Sequence, residues 1–533
     1  MSVRYYRHPK IFTGQDETTF VTAFAVEDGR FTWAGDAAGI PPDAMVENLE
    51  GPVVLPGFID AHTHPTYIAM VMGAVACTVP MVNSIPEMLD ALRRHPNYGQ
   101  GDTDWIQGWG YDESKLEEHR TPTRHDLDQV SVTQPIHVLR SDCHSGLANT
   151  RALTLAGITS ETPDPPDGDF GRDENGVPNG ILREHGANQA VLQAMGPADY
   201  QSDVAKLVQT SAHLAAHGIV ACTDMFCIPS LYFQLDLYRD AQKHGFVQHA
   251  RIYYDFDAMH KYPIPPITAD DRTGQVAIGG IKLFMDGSMS NRTAWLRDPY
   301  PGTTDERGMC TSSPQTMTEA LDFARENHVQ IAFHAMGDRA IQEIVDFYAD
   351  EEPWMGDIPS VRIEHASMWT EDIMRRMGNT RMKFGVATNI DFFFCEYDSY
   401  FQNLSEEQFA RTYPVKDMYG HIEALALSSD SPATTWHDPD NVFLSIQAAT
   451  TRQAYNGADI VPTQAITVPQ AILLYTGRAR KLGDMLDIGV IAPGFQASFI
   501  TLSDDVFAVD PDAIIDVEVT GTWIRGKKAY TRQ

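Results

Sequence analysis

A long alternation of apolar and amphipathic segments between residues 53 and 429 constrains the fold most strongly. Eight apolar segments are typical of strands buried on both faces between layers of helix, and they span residues 53–60, 219–224, 250–256, 279–285, 329–335, 361–366, 382–388 and 423–429. Amphipathic segments with helical periodicity lie between them, at 204–218, 316–328 and 338–350. This βα alternation predicts an α/β fold, a (β/α)8 TIM-like barrel.

Two further β-rich regions flank this alternation. Residues 1–52 and 485–533 consist of short strands and turns, and chain termini often lie close together. They predict a small β-sandwich domain built from both termini, with the barrel over 53–484. The interval between the first two barrel strands is too long for a βα loop, so we expect an inserted subdomain over about 78–205. Its Gly-, Pro- and Asp-rich stretch 162–180 is interpreted as a surface loop.

Composition limits the classes of partner. The formal net charge of −32 disfavours nucleic acid and anionic membranes, which are both polyanions. No apolar run approaches the ~20 residues of a membrane span, and the N-terminal MSVRYYRHPKIFTG lacks the apolar region of a signal peptide. Six scattered cysteines suit reduced thiols. We therefore expect a cytoplasmic protein that acts on a small-molecule substrate. The oligomer that we consider for it is a homodimer.

In such barrels catalysis takes place at the carboxyl ends of the strands. Potential metal ligands lie at or near five of these ends: His62, His64, Lys282, His334, His365 and Asp430. His62 and His64 are two residues apart, so on a strand both rings lie on one face. Imidazole and carboxylate groups bind zinc, iron and nickel. Taken singly, each residue has another interpretation: polar loop residues for the His62–His64 pair, hydrogen-bonded core histidines for His334 and His365, and a helix N-cap for Asp430.

Lys282 is the most informative of these residues. It lies in the apolar segment GGIKLFMDG, and lysine is almost never fully buried without a partner. Desolvation lowers the pKa of an amine, and a neutral amine can react with carbon dioxide to give a carbamate that bridges two metal ions. The alternative is an ion pair with a carboxylate such as Asp286. Together with four histidines and an aspartate, Lys282 favours a metal site.

Several segments, VVLPGFIDAHTH, GVPNGILREH, GIKLFMDGSMSNRTA, FHAMGDRAI, RIEHA and SSDSPA, resemble the amidohydrolase superfamily, and most closely its YtcJ-like and N-substituted formamide deformylase-like branch (amidohydrolase family 3). The resemblance implies one or two divalent metal ions, with zinc expected. His62, His64 and Asp430 would hold one ion, His334 and His365 the other, and N6-carboxylated Lys282 would bridge them. Asp430 would also be the catalytic base, and His144 and Arg292 would contact substrate. Cys143 stands where this family usually has glycine, which would reshape the pocket.

The expected activity is metal-dependent hydrolysis of an amide-type C–N bond, other than a peptide bond, in an N-acyl or N-formyl amine. Alternatives are deamination, lactone or carbamate cleavage, or a catalytically silent binding protein, which retention of six candidate ligands disfavours. The aromatic stretch 389–402 is equally compatible with packing against the insert and with an apolar wall for the substrate. His213 and His217 lie four residues apart but lack the glutamate of an HExxH motif, so they are interpreted as ordinary helix residues.

Overall fold

A computed structural model describes residues 3–166, 168–196 and 199–532. The strands in chain order are β1 (Arg4–Phe12), β2 (Phe20–Glu27), β3 (Arg30–Gly35), β4 (Met45–Asn48), β5 (Val54–Pro56), β6 (Phe58–Thr63), β7 (Val75–Ala76), β8 (Ile106–Tyr111), β9 (Ile136–Arg140), β10 (Gly146–Ala148), β11 (Asp169–Arg172), β12 (Pro178–Arg183), β13 (Ile219–Cys227), β14 (His249–Asp255), β15 (Val276–Phe284), β16 (Gln330–Ala335), β17 (Val361–His365), β18 (Phe384–Thr388), β19 (Leu425–Leu427), β20 (Phe499–Leu502), β21 (Val519–Ile524) and β22 (Lys527–Thr531).

The α-helices in chain order are α1 (Pro65–Val71), α2 (Ile85–Arg93), α3 (Arg124–Leu127), α4 (Thr150–Leu155), α5 (Glu184–Leu192), α6 (Tyr200–Ala216), α7 (Gln234–His244), α8 (Phe256–Lys261), α9 (Pro314–Asn327), α10 (Asp338–Tyr348), α11 (Glu371–Gly378), α12 (Ile390–Cys395), α13 (Tyr397–Asn403), α14 (Glu406–Ala410), α15 (Val415–His421), α16 (Val442–Thr451) and α17 (Val468–Leu473). No helix among the described residues has the length and apolar character needed to cross a bilayer.

The predicted barrel is confirmed. Eight parallel strands follow one another in chain order, β6-β13-β14-β15-β16-β17-β18-β19. Their residues are almost entirely buried, as expected for strands covered on both faces. At the seam between the first and last strands, the Ser429 hydroxyl donates to Asp60 Oδ2 at 2.6 Å. The carboxyl ends of all eight strands therefore open at one end of the barrel.

The segment 53–60, predicted as one strand, forms two. β5 pairs with β20 and β1 in another sheet, and β6 pairs with β13 in the barrel. The chain changes sheets at Gly57, where a Cβ atom would overlap the Val220 side chain. The backbone at this point is held by the residues that directly precede β20 and β13, because Gly57 N donates to Ser498 O at 3.1 Å and Phe58 N donates to Gly218 O at 2.9 Å.

Both ends of the chain contribute to a second sheet. Its strand order is β22-β21-β20-β5-β1-β2-β3, with β4 paired to β1. Aromatic side chains from both termini form its core: the Phe24 and Phe499 ring centroids lie 4.9 Å apart, and Phe499 stacks on Trp523 at 4.7 Å. Burial of these large rings provides the main driving force for holding the two termini in one sheet.

By internal contacts the chain divides into two compact units, residues 1–66, 207–429 and 440–533 in the first and residues 67–206 and 430–439 in the second. The second unit has its own six-stranded sheet, in the order β11-β12-β10-β9-β8-β7. The interpretation of 162–180 as a surface loop was wrong for its second half, because β11 and β12 pair as antiparallel strands. Asp167, within the same stretch, lies outside the described residues.

Candidate metal centre

Three histidines converge at the carboxyl ends of the barrel strands. The ring centroids of His62 and His365 are 4.6 Å apart, and those of His365 and His334 are 4.5 Å apart. His64 is less buried than His62, and its ring lies 5.4 Å from that of His62. His62 and His365 each offer one ligand atom within 4.8 Å of the other. Asp430 follows Ser429 in the chain, belongs to the second unit and is 5% exposed. The structure thus brings together imidazole groups of the kind that bind divalent metals.

The orientation of His62 is fixed by a buried ion pair. Its Nδ1 lies 2.7 Å from Glu364 Oε2, and Arg362 donates to both oxygens of the same carboxylate at 2.8 and 3.1 Å. Burial acts to raise the pKa of Glu364, but the charge of Arg362 and the His62 hydrogen bond outweigh it and lower the pKa to about 2. The ionised carboxylate only accepts, so His62 Nδ1 carries the proton and Nε2 is the nitrogen that could hold a metal.

His365 is held by a neighbouring amide and a ring. Its Nδ1 lies 3.1 Å from Asn389 Oδ1, and Asn389 in turn donates to the Ser428 carbonyl at 3.0 Å. The Phe392 ring stacks on the imidazole with centroids 5.8 Å apart and planes 17° apart. His365 has a φ of +64°, a left-handed conformation that is uncommon for non-glycine residues and clusters at functional sites.

His334 belongs to a neighbouring polar network. Its Nε2 lies 3.0 Å from the Gly287 carbonyl and 3.7 Å from Asp286 Oδ1. Asp286 accepts hydrogen bonds from the backbone amides of Trp295, Met336 and Gly337 at 2.8–2.9 Å. Burial nevertheless raises the pKa of Asp286 to about 7. Asp286 thus anchors the turns that follow β15 and β16.

Lys282 lies in β15 and is 2% exposed. Its Nζ is 5.3 Å from the centroid of the Phe284 ring. Burial is the largest influence on Asp255 and raises its pKa to about 6, and the positive charge of Lys282 partly offsets this. The same charge also contributes, as a lesser cause, to the lowered pKa of Glu364. Asp255 is the register neighbour of Lys282 on β14. Lys282 is therefore a buried amine with Asp255 beside it in the sheet.

His144 and Arg292, for which substrate contacts were predicted, both interact with nearby protein groups. His144 lies in the second unit, with its Nδ1 3.0 Å from Glu184 Oε2. In the same unit, burial and then the charges of Asp142 and Asp430 raise the pKa of the Cys143 thiol, so the 142–144 turn lies near Asp430. Arg292, in the barrel unit, donates to the Pro301 carbonyl at 2.7 Å, and its guanidinium lies 5.1 Å from the Tyr300 ring centroid.

The aromatic stretch 389–402 forms α12 and most of α13. Phe393 packs among other rings of the barrel unit, with its centroid 5.2 Å from Tyr400 and 4.9 Å from Phe409. Phe392 instead stacks on His365. Phe393 thus packs in the core, and the adjacent Phe392 of the same helix contacts His365.

Sequence reasoning missed Arg362, Glu364 and Asn389, which orient the histidines. A signal was present in the segment VRIEH, because arginine and glutamate in a strand buried on both faces require partners. The structure also places Asp440 Oδ2 2.8 Å from His213 Nε2, a neighbour that the spacing of His213 and His217 did not indicate.

The parallel barrel, with candidate metal ligands at the carboxyl ends of its strands, has the architecture of a barrel enzyme. This chain belongs to the amidohydrolase family, whose model matches residues 45–530, and is a hydrolase by that membership. It is 25% identical over 531 residues to N-substituted formamide deformylase of Arthrobacter pascens, covering 96% of this chain and 95% of the relative. It is 26% identical over 540 residues to the putative amidohydrolase YtcJ of Bacillus subtilis (strain 168), covering 98% of each.

Solved structures agree on the fold. An uncharacterized metal-dependent hydrolase from Pyrococcus horikoshii OT3 superposes with a TM-score of 0.74 at 23% identity, over 96% of this chain and 99% of that one. A second such hydrolase, from Pyrococcus furiosus, gives a TM-score of 0.71 at 22% identity, over 95% of this chain and 100% of that one. Both comparisons extend along nearly the whole chain.

Proposed function

We propose that this protein hydrolyses an amide-type C–N bond of a small N-acyl or N-formyl amine, using one or two divalent metal ions at the carboxyl end of the barrel. The observation that carries the proposal is the convergence of His62, His365 and His334 at the carboxyl ends of the barrel strands, where the His365 ring centroid lies 4.6 Å from that of His62 and 4.5 Å from that of His334. Zinc is the metal proposed, because two imidazoles and a carboxylate are among its usual ligands.

The surroundings of the histidines support this assignment. Glu364 and Asn389 each engage the Nδ1 atom of a ring, at 2.7 Å for His62 and 3.1 Å for His365. Such a partner fixes the tautomer, orients the ring and raises the basicity of the other nitrogen. We assign His62, His64 and Asp430 to one ion, and His334 and His365 to a second. N6-carboxylated Lys282 is proposed as their bridging ligand.

When bound at this centre, a divalent metal lowers the pKa of coordinated water and polarises the substrate carbonyl. Asp430 accepts the proton of the attacking water and returns it to the nitrogen of the departing amine. Glu364 holds the His62 ring in place during this transfer. The buried Arg362–Glu364 pair keeps that carboxylate ionised, so the proton stays on His62 Nδ1.

The substrate class rests on the relatives and on one aromatic contact. The similar protein of Arthrobacter pascens is an N-substituted formamide deformylase. Phe392 stacks against His365 and offers an apolar surface beside the proposed reaction centre. We therefore propose substrates with an apolar or aromatic group on the amide nitrogen, with His144 and Arg292 contacting the substrate.

A panel of purified compounds tests the proposal. The zinc-loaded protein is offered N-formyl amines, N-acyl amines, lactones, carbamates and amino-heterocycles, and the products are identified by mass spectrometry. We expect an amine plus formate or another acid, and loss of the activity when the metal is chelated. Ammonia or a hydroxy acid as the main product would contradict the amide assignment, and absence of bound metal would contradict the proposed centre.

A further inference from the structure

A cavity of about 600 Å³ lies in the barrel unit. Segments next to the barrel and next to the second sheet both contribute to its wall, which includes Tyr419, Glu423, Leu473 and parts of 14–17, 477–481 and 490–495. Glu423 stands two residues before β19, so the cavity adjoins the amino end of that strand. The histidines lie at the opposite, carboxyl ends, where such barrels carry out chemistry. The cavity is therefore a candidate binding site rather than a second catalytic one, and its volume suits a small organic molecule.

Arg480 lines this cavity with donors that lack acceptors. Among the described residues, its Nη1 donates to the Leu486 carbonyl at 2.6 Å, and Nη2 has no acceptor. Nε is buried and also lacks a partner in that part of the chain, which is costly for a donor. Burial lowers the pKa of Arg480, and no described carboxylate counters this effect. The Nε–Nη2 edge is therefore open to a carboxylate, which a guanidinium binds with two parallel hydrogen bonds.

The other cations of the wall already have protein partners. Arg478 donates through all three nitrogens to backbone carbonyls in the segment 419–423. Lys481 Nζ forms an ion pair with Glu423 Oε1 at 2.6 Å, so these two charges cancel. Among the described residues that line the cavity, Arg480 is thus the cation that a ligand can engage without displacing a protein partner.

An apolar surface adjoins the Arg480 guanidinium. Its Cζ atom lies 5.2 Å from the centroid of the Phe495 ring, and Leu473, Val490 and Ala492 line the same cavity. A ligand whose carboxylate engages Arg480 can therefore pack a hydrocarbon group against Phe495 and these aliphatic residues. That contact removes apolar surface from water, which favours binding.

Acidic residues in the loop after β1 limit the charge of the ligand. Asp16 and Glu17 line the cavity, and hydrogen bonds from Thr19 and Thr18 lower the pKa of Asp16 to about 2. The Asp16 carboxylate is therefore ionised at neutral pH and repels further negative charge. A phosphate dianion or a polyphosphate is disfavoured for this reason, whereas a ligand with one carboxylate can place its charge on Arg480.

From these contacts we propose that the cavity binds a small monocarboxylic acid with an apolar or aromatic body. The Nε–Nη2 edge of Arg480 holds the carboxylate, and the body packs on Phe495 and the aliphatic wall. The site shares no residue with the candidate metal centre and does not depend on the proposed function. Because it adjoins the amino end of β19, its ligand leaves the histidines at the carboxyl ends uncovered.

Isothermal titration calorimetry with naphthylacetate as the probe tests the site. We expect the wild type to bind it with a Kd below about 1 mM. Arg480→Gln should bind at least about tenfold more weakly, because two charge-assisted hydrogen bonds are lost. Arg480→Lys keeps the charge but not the planar fork, so its affinity should lie between the two. Arg375→Gln, at an exposed position of α11, is the matched control and should bind like the wild type.

Further measurements separate this site from other causes of a changed affinity. Naphthylethanol, which has the same ring without the carboxylate, should bind weakly and equally to the wild type and Arg480→Gln. His62→Ala should bind naphthylacetate as tightly as the wild type, which excludes a carboxylate held at the metal centre. Circular dichroism should show the same fold for both Arg480 variants. Equal affinity of the wild type and the Arg480 variants for naphthylacetate, or tighter binding of inorganic phosphate, would overturn the proposal.

Discussion

The Nδ1 atom of His62 donates to Oε2 of Glu364 across 2.7 Å, although the two residues are 302 positions apart. Glu364 is also the carboxylate that Arg362 binds with two hydrogen bonds. The candidate ligand His62, on β6, is thus oriented by an ion pair that belongs to β17.

Replacing Glu364 with glutamine should weaken zinc binding about 10–100-fold, because the His62 ring loses its charged hydrogen-bond partner. The affinity is measured by competition with a chromogenic chelator, with Glu319→Gln on the exposed face of α9 as the control. The variant also leaves Arg362 without its carboxylate, so urea unfolding should show a lower free energy of unfolding. An unchanged zinc affinity in folded protein would refute the positioning role.

Replacing Asp430 with asparagine should lower kcat by about 10²–10⁴-fold, the usual contribution of a general acid–base group. Zinc should still bind, because the histidines and an amide oxygen remain. Turnover and zinc content are measured on the same sample, with Asp322→Asn on α9 as the matched control. Turnover close to that of the wild type would exclude Asp430 as the base.

Carboxylation of Lys282 should be visible by NMR. Zinc-loaded protein incubated with ¹³C-bicarbonate is expected to give a carbamate carbonyl signal that is absent from Lys282→Arg, since a guanidinium does not form a carbamate. The variant should also bind fewer zinc ions. Lys383→Arg serves as the control, because Lys383 is exposed and donates to the Gly356 carbonyl. If wild-type protein that holds two ions gives no signal, Lys282 is not the bridging ligand.

Acid should destabilise the protein through His137, which is buried and lies 2.7 Å from Asn188 Oδ1. Burial lowers the pKa of His137 from 6.5 to about 4. The folded protein therefore binds this proton less readily than the unfolded chain, so stability is present above pH 6.5 and is lost as the pH falls toward 4. A fall in pKa from 6.5 to about 4 corresponds to roughly 3 kcal/mol, at about 1.36 kcal/mol for each tenfold change in acidity.

Urea unfolding between pH 4 and 7.5 measures this effect. The free energy of unfolding of His137→Gln should fall less steeply with acidification than that of the wild type. His185→Gln, at an exposed position, should follow the wild-type curve. Parallel curves for His137→Gln and the wild type would show that His137 protonates equally in the folded and unfolded chains.

The barrel strands were predictable because strands covered on both faces are uninterrupted apolar runs. The segment 53–60 was wrongly predicted as one strand for the same reason. A continuous apolar segment does not show whether its residues belong to one sheet or to two, and the change of sheet occurs at Gly57, where a Cβ atom would overlap Val220. The hairpin of β11 and β12 was not predicted, because the glycine and proline residues in 162–180 are typical of hairpin turns as well as of irregular loops.

The positions of the candidate ligands followed from the rule that barrel strands carry chemistry at their carboxyl ends. Their orientation could not be predicted, because it depends on partners distant in sequence, such as Glu364 for His62. The His213–Asp440 contact joins residues 227 positions apart. A local sequence pattern cannot predict a contact between residues so distant in the chain.

The hydrogen bond from Ser429 to Asp60 has a consequence for biosynthesis. Asp60 lies two residues before His62, and Ser429 follows the last barrel strand, so the seam beside His62 closes only when the first and last strands are both present. A ribosome must release nearly the entire barrel before the first histidines acquire their partners. Loading of the proposed metal is therefore expected on the folded chain rather than on a growing polypeptide.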